Sequence, residues 1–221
     1  MQQPQLTVEE SIERQLELAE DNYCILKEKG VRSIGLMGTA GSGKTSLIER
    51  IIDRVKPCGI VMAALVGASS GTDDHNRFLA RGIYSANLNT ESAYQLEAQA
   101  VNRGLGSLPL AEIDLLFVEN VGGLLCQADW PLGTESEVVV ISAAAGEAVV
   151  RKHPNIFTQT DLLVINKIEL AAAAGVDPGV LVDDYAEINP YGKIVLTDAR
   201  GNRGIDELMR TLGIECEATQ W

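Results

Sequence analysis

The chain has 221 residues, a length that suits one α/β domain with a sizeable core. Apolar residues make up 46% and charged residues 22% of the sequence, which is typical of globular rather than disordered proteins. No run approaches the roughly 18 uncharged apolar residues that a membrane span needs, and the net charge of −13 argues against a nucleic-acid partner.

The first predicted element is an amphipathic helix over residues 7–29. An apolar residue recurs every three or four positions, which gives the helix one apolar stripe. The members of the stripe are Ile12, Leu16, Ala19, Tyr23 and Leu26. Gly30 is a typical residue for ending a helix. Two alternatives stay open for the stripe, packing on its own domain or a contact in a dimer.

Strand-like and helix-like segments then alternate along the chain. The predicted strands cover residues 33–37, 59–66, 83–86, 114–119, 137–142, 161–166 and 193–197. Several of them are continuous runs of Val, Ile and Leu without alternation, a pattern that indicates strands buried on both faces. We therefore predict a three-layer α/β fold with a mainly parallel, doubly wound sheet and helices on each side.

A glycine-rich segment lies between the first strand and the second helix. Residues 38–45 read Gly-Thr-Ala-Gly-Ser-Gly-Lys-Thr and match G-x-x-x-x-G-K-[ST], the phosphate loop of P-loop NTPases. Glycines let the backbone aim successive N–H groups at one point, and the helix N-terminus adds its positive end. Lys44 is expected to reach the β and γ phosphates, and the Thr45 hydroxyl to bind Mg²⁺. The predicted phosphate-binding residues are Thr39, Ala40, Gly41, Ser42, Gly43, Lys44, Thr45 and Ser46.

A carboxylate ends the fourth predicted strand, and a glycine follows three residues later. Ligands of open parallel sheets bind at the carboxyl edge, where Glu119 is placed by this pattern. We expect Glu119 to hold Mg²⁺ or its water, and Gly122 to donate its N–H to the γ phosphate. The alternative is a carboxylate that only caps backbone groups.

A base-recognition motif follows the sixth predicted strand. Residues 166–169 read Asn-Lys-Ile-Glu and are similar to the guanine-reading motif Asn-Lys-x-Asp. A carboxylate suits guanine, because guanine presents N1–H and N2–H donors while adenine has an unprotonated N1. Asn166, Lys167 and Glu169 thus favour GTP, although the longer Glu169 leaves ATP open. Asp198 and Ala199, after the next strand, are in the right order to cover the base with a backbone N–H.

The four cysteines are scattered and form no C-x-x-C pair. They are Cys24, Cys58, Cys126 and Cys216. The polar, acidic residues 1–10 are unlike a secretory signal or a transit peptide. We therefore expect reduced thiols and a cytoplasmic location.

Together these segments resemble the HypB family of GTPases, which assist nickel insertion in the maturation of nickel–iron hydrogenases. The most specific stretch, residues 116–126, reads Leu-Phe-Val-Glu-Asn-Val-Gly-Gly-Leu-Leu-Cys and is close to the family's ENVGNLxCP. Residues 151–154 and 165–170 are also similar, and the related urease accessory GTPase fits less well. The resemblance implies a fold of the signal-recognition and MinD-like class and a homodimer that tightens with GTP. It also implies a hydrogenase maturation partner and the hydrogenase large subunit as partners.

The chain departs from the family pattern at two places. The family binds metal at the dimer interface with a Cys-His pair and the cysteine after ENVG. Cys126 stands at the third ligand position, but Tyr94 and Gln95 fall where the pair is expected. A Ni²⁺ or Zn²⁺ site through Cys126 and a non-ligand Cys126 both stay open. Ala68 replaces the family's aspartate near Mg²⁺; Asp73 and Asp74 are candidates to take over its role, and Asp74 aligns with a family aspartate further along.

The sequence thus predicts a slow GTPase with Lys44, Thr45, Glu119 and Asp74 in catalysis. Its predicted parts are the leading helix over residues 1–30, a P-loop GTPase domain over 31–213 and a disordered tail over 214–221. One rival function is a nucleotide-responsive scaffold with little turnover and no metal site. The other is an ATP-dependent metallochaperone.

Overall fold

The computed structural model describes residues 8–68, 72–89, 96–120 and 131–216. Within these residues seven strands form one sheet in the order β3-β2-β4-β1-β5-β6-β7, and every neighbouring pair is parallel. The strands are β1 Arg32–Gly38, β2 Met62–Ala68, β3 Tyr84–Asn89, β4 Leu115–Glu119, β5 Ser136–Ser142, β6 Leu162–Asn166 and β7 Lys193–Leu196. Each predicted strand is present, with ends shifted by a few residues.

Eight α-helices lie in the described residues, together with short 3₁₀ turns. They are α1 Val8–Glu28, α2 Lys44–Val55, α3 Asp73–Ala80, α4 Ala98–Leu105, α5 Val149–Lys152, α6 Pro154–Thr158, α7 Pro178–Ile188 and α8 Ile205–Thr211. The leading helix ends as predicted, since Gly30 follows it with a φ of +69°. That left-handed conformation costs glycine little because it has no Cβ.

The helices cover both faces of the sheet, as predicted. On one face α2, α3 and α8 pack over one cluster of buried side chains, and on the other face α1, α4 and α7 pack over two more. The strand β4 illustrates the division, because Leu115 and Phe117 belong to the first cluster while Leu116 and Val118 face α4. All five residues of β4 are buried, which explains its unbroken apolar sequence. The three-layer, doubly wound α/β fold is confirmed.

The apolar stripe of α1 is only partly used within the domain. Ala19 and Leu26 are buried on the side of α1 that packs against α4. Ile12, Leu16 and Tyr23 remain 39%, 47% and 38% exposed. Packing on the domain therefore accounts for part of the stripe, and the dimer contact stays a prediction.

The prediction of reduced cysteines is wrong for two of them. Cys58 and Cys216 are joined in a disulfide, with their Cα atoms 5.8 Å apart. The pair is 158 residues apart in sequence, so spacing alone gave no sign of it. It forms because the turn after α2 and the segment after α8 lie on the same face of the sheet. Cys24 is free and exposed, and Cys126 lies outside the described residues.

The C-terminal segment beyond α8 is partly anchored. Ile214 is buried in the cluster beneath α2 and α8, whereas residues 217–221 lie outside the described part of the chain. The domain limits and the disordered tail stay predictions. Among the described helices, none combines the length and the hydropathy that crossing a membrane would require.

Candidate functional site

The phosphate loop connects the end of β1 to the start of α2. Gly38 has a φ of +139° and Gly43 a φ of +102°, values that residues with a Cβ rarely adopt. A Cβ on Gly38 would overlap the carbonyl oxygen of Val140, and one on Gly43 would overlap Nδ2 of Asn166. These two glycines are therefore required by backbone conformation and by close packing.

Lys44 is held over the loop that precedes it. Its Nζ donates hydrogen bonds to the carbonyl oxygens of Gly38, at 3.1 Å, and Thr39, at 3.3 Å. Burial lowers the pKa of Lys44, while the negative charges of Glu119 and Asp74 oppose that shift. The ammonium group is thus positioned at the loop, where the charge of a phosphate would also stabilise it.

Glu119 meets Thr45 at the carboxyl edge of the sheet. The register of β1 and β4 pairs Glu119 with Leu36, and the Thr45 hydroxyl donates to Glu119 Oε1 at 2.7 Å. Burial raises the pKa of Glu119 to about 7, against the opposing effects of the Thr45 hydrogen bond and the Lys44 charge. The predicted Mg²⁺ residues are therefore brought together.

Two buried oxygens at this place have no hydrogen-bond partner among the described residues. They are Oε2 of Glu119 and Oγ of Ser42. Buried polar atoms are nearly always paired, so an orphaned atom calls for a ligand or solvent. Hydroxyl and carboxylate oxygens are the donors that Mg²⁺ prefers, and the first backbone N–H groups of α2 lack acceptors within the helix. The residues present fit a magnesium-bound phosphate group.

The base-recognition motif is tied directly to the phosphate loop. Asn166 is buried; its Nδ2 donates to the carbonyl of Ser42 at 2.8 Å, and its Oδ1 accepts from Thr197 Oγ1 and the N–H of Ala199. Lys167 has a left-handed φ of +62°, and its Nζ donates to the carbonyl of Gly41 at 2.5 Å. The sequence did not predict this link between the two motifs.

The other two base-reading candidates have different surroundings. Glu169 lies in the single turn Ile168–Leu170 and is exposed. The Asp198 carboxylate accepts hydrogen bonds from the N–H of Gly201 at 2.7 Å and from Arg203 at 2.9 Å. These hydrogen bonds lower the pKa of Asp198, and the bond from the Gly201 N–H has the largest effect. The Asp198 side chain thus holds the turn between β7 and α8, and the Ala199 N–H that was predicted to cover the base donates to Asn166 Oδ1 instead.

Asp74 lies in the first turn of α3, close to the phosphate loop. Its carboxylate is 42% exposed and forms an ion pair with Arg77 at 2.8 Å. Arg77 also pairs with Glu49 of α2 at 2.7 Å, and its Nη2 lies 3.5 Å from Ser46 Oγ. Glu49 could not be predicted from the sequence, because nothing in its spacing shows that α2 and α3 meet. Asp74 is near enough to act on the pKa of Glu119.

The predicted transition-metal residues cannot be placed in the same way. Cys126, Tyr94 and Gln95 lie outside the described residues, and so do Gly122, the predicted donor to the γ phosphate, and the side chain of Ala68. Within residues 8–68, 72–89, 96–120 and 131–216, no group of three or more His, Cys, Asp or Glu side chains could hold a metal ion.

Comparison with known proteins identifies the family. The model of the CobW/HypB/UreG nucleotide-binding domain matches residues 32–196. A probable hydrogenase maturation factor HypB from Methanocaldococcus jannaschii is 41% identical over 192 residues, which are 87% of this chain and 86% of the relative. The chain belongs to the HypB family. The predicted resemblance is therefore confirmed.

Two solved HypB structures have the same fold. HypB from Archaeoglobus fulgidus is 37% identical with a TM-score of 0.84, over 90% of this chain and 97% of that one. HypB from Helicobacter pylori, solved in complex with nickel, has a TM-score of 0.84 over 94% of this chain and 99% of its own. At 22% identity the second likeness supports the fold alone. The family model includes the phosphate loop, Glu119 and Asn166, and it stops before Asp198.

Proposed function

We propose that the chain is a GTP-binding and GTP-hydrolysing accessory protein of the HypB type, which assists nickel insertion in [NiFe] hydrogenase maturation. The observation that carries the proposal is the hydrogen bond between Thr45 and Glu119, beside Lys44 and the orphaned Oγ of Ser42. This set combines an amide loop, one ammonium group and hard oxygen donors, which are the parts that a magnesium-bound triphosphate needs.

Each residue has a distinct part in the proposed reaction. The backbone of residues 41–45 and the Lys44 ammonium hold the phosphates. Thr45, and Glu119 through a water molecule, would hold Mg²⁺, which neutralises phosphate charge when bound. Asp74 would replace the aspartate missing at position 68, and its ion pair with Arg77 fixes its direction. Such an arrangement works by positioning and charge neutralisation rather than by a strong general base.

Guanine is the proposed base. The Glu169 carboxylate is exposed and lies beside the Asp198 carboxyl, where it would accept from N1–H and N2–H of guanine. Asn166 and Lys167 keep the motif against the phosphate loop, and the Ala199 N–H donates to Asn166 Oδ1, which joins the segment after β7 to the motif. The extra methylene of Glu169 relative to aspartate makes this the assignment to test first.

Nickel, dimerisation and partners extend the proposal beyond the nucleotide. The relatives are named as hydrogenase maturation factors, and the Helicobacter pylori protein binds nickel in its crystal structure. We propose a homodimer switched by GTP, with a hydrogenase maturation partner and the hydrogenase large subunit as its contacts in the cytoplasm. Cys126 is the proposed ligand for Ni²⁺ or Zn²⁺ at the dimer interface.

A single-turnover hydrolysis assay tests the core of the proposal. Enzyme in excess over radiolabelled GTP and Mg²⁺ should release phosphate slowly, and Lys44→Ala should reduce release to the buffer background. Parallel titrations with labelled GTP and ATP, in wild type and Glu169→Asp, test the base. ATP binding as tight as GTP binding would exclude the guanine assignment.

A nucleotide-responsive scaffold is the second candidate function. Ala68 favours it, because a methyl group cannot ligate Mg²⁺ or orient water. The scaffold predicts tight GTP binding with phosphate release no faster than in Lys44→Ala. An ATP-dependent metallochaperone, which Glu169 leaves open, predicts turnover with ATP instead.

The metal proposal needs its own titration. Nickel and zinc are added to reduced protein and to Cys126→Ser, and binding is followed by calorimetry. Tighter binding by the wild type supports Cys126 as a ligand, while equal affinity in the two proteins removes it from any metal role.

A further inference from the structure

Two neighbouring side chains at the end of β4 contact the helix layers on opposite faces of the sheet. Glu119 faces α2, on the side of the sheet that Phe117 shares, and reaches Thr45. Asn120 follows it and is 4% exposed; its Oδ1 accepts the N–H of Leu96 at 2.9 Å, just ahead of α4. The end of this strand is therefore connected to both helix layers.

The backbone of Asn120 adds a third connection. Its N–H donates to the carbonyl of Leu36 at 2.9 Å, two residues before the phosphate loop begins at Gly38. Asn120 thus extends the pairing of β4 with β1 by one residue beyond Glu119. The position of the Glu119 backbone therefore depends on the contacts that hold Asn120, the residue that extends this pairing.

The layer to which Asn120 is tied is itself firmly held. Leu96 is 1% exposed within the cluster beneath α1 and α4. Asn22 of α1 is completely buried; its Nδ2 donates to the carbonyls of Ala98 and Leu132 at 2.9 and 3.0 Å, and its Oδ1 accepts from Asn102 at 2.9 Å. The burial of the Leu96 side chain makes its N–H a fixed point for Asn120, while the Asn22 bonds hold the same layer elsewhere, at Ala98, Asn102 and Leu132.

We propose that Asn120 is a positioning residue for the magnesium–nucleotide site: by accepting the Leu96 N–H it fixes the end of β4 and so keeps Glu119 at Thr45. The inference rests on the proposed function and deepens it. Among the residues that the structure describes, Glu119 has one hydrogen-bond partner and one oxygen without any, so these contacts hold it weakly. Side chains that orient such ligands from behind commonly change metal affinity or activity by 10–100-fold when replaced.

Three substitutions separate positioning from general stability. Asn120→Leu keeps the approximate volume but leaves the Leu96 N–H without an acceptor. Asn120→Asp keeps an acceptor oxygen in the same place. Asn22→Leu is the matched control, because it removes a buried asparagine from the same α1–α4 layer without touching β4.

Single-turnover GTP hydrolysis is measured across a Mg²⁺ titration, with labelled GTP binding in EDTA as the check on folding. We expect Asn120→Leu to lose about tenfold in rate and to need more Mg²⁺, in the range typical of outer-shell changes. Asn120→Asp and Asn22→Leu should stay within about threefold of wild type in hydrolysis rate and in the Mg²⁺ concentration required, since neither removes the hydrogen bond between residue 120 and the Leu96 N–H. Binding in EDTA should be nearly unchanged in all three.

Equal losses in Asn120→Leu and Asn22→Leu would overturn the inference, as would an Asn120→Asp variant as slow as Asn120→Leu. If Asn120→Leu does not fold, Asn120→Ala takes its place with the same expected order; if Asn22→Leu does not fold, Asn102→Leu takes its place. A wild type without Mg²⁺-dependent turnover would instead overturn the proposed function itself, and the inference with it.

Discussion

Replacing Gly43 by alanine should disturb the phosphate loop and the base motif together. Gly43 has a φ of +102°, and an added Cβ would overlap Nδ2 of Asn166. Gly41 offers a matched control in the same loop, because its φ is +73° and a Cβ there would meet none of the described residues within 4 Å. Both substitutions strain the backbone, and only Gly43→Ala displaces a neighbouring side chain.

The expected magnitudes follow from these contacts. A left-handed conformation costs a residue with a Cβ about 1–2 kcal/mol, which applies to both variants. Moving Asn166 also disturbs its hydrogen bonds to Ser42, Thr197 and Ala199, each worth about 1 kcal/mol net. Gly43→Ala should therefore lose about 3 kcal/mol more than Gly41→Ala, or about 6–12 °C in Tm for a domain of this size.

Thermal unfolding without nucleotide measures this difference, and a double-mutant cycle isolates its cause. In an Asn166→Ala background the overlap is absent, so Gly43→Ala should cost only its backbone strain, about that of Gly41→Ala. The reasoning is refuted if the two glycine variants unfold within about 2 °C of each other, which is under 1 kcal/mol. It also fails if the full difference persists in the Asn166→Ala background.

Three further outcomes are expected. Glu119→Gln should lower Mg²⁺-supported GTP turnover about 10–100-fold while Thr45→Ser, which keeps the hydroxyl, stays near wild type; an unchanged Mg²⁺ dependence in Glu119→Gln would contradict this. Burial raises the pKa of Glu137 to about 7, so the folded state holds its proton more tightly and stability should fall as pH rises from about 5 to 8. Because Glu137 is only partly buried, the loss is about 1–2 kcal/mol, and Glu137→Gln should flatten the Tm profile; an identical profile would refute it. Reduction of the Cys58–Cys216 disulfide should cost about 2–5 kcal/mol, seen as a lower Tm with dithiothreitol in wild type but not in Cys216→Ser.

The fold and the phosphate loop could be predicted because each depends on local sequence. Unbroken apolar runs such as residues 115–118 reveal buried parallel strands, and the loop places Gly38, Lys44 and Thr45 at fixed spacings along one stretch. The meeting of Thr45 with Glu119 was also predictable, because the carboxyl ends of parallel strands share one edge.

Contacts between distant segments could not be predicted in this way. The hydrogen bond from Lys167 to Gly41 and the disulfide between Cys58 and Cys216 depend on which elements become neighbours. The sheet order that decides this is set by packing on both faces of the whole sheet. A pattern along the chain predicts that β6 exists, but it does not show that Asn166 reaches the phosphate loop.

The strand order also explains why phosphate binding and base reading belong to one unit. Strand β1 leads into the phosphate loop and lies between β4, which supplies Glu119, and β5, which separates it from β6. Asn166 and Lys167 reach across β5 to the carbonyls of Ser42 and Gly41, so the base motif holds the outer side of the loop. Glu119 holds its other side through Thr45. Because hydrogen bonds hold the loop on both sides, a displacement at the end of β4 or of β6 changes the positions of the backbone N–H groups in the phosphate loop between them.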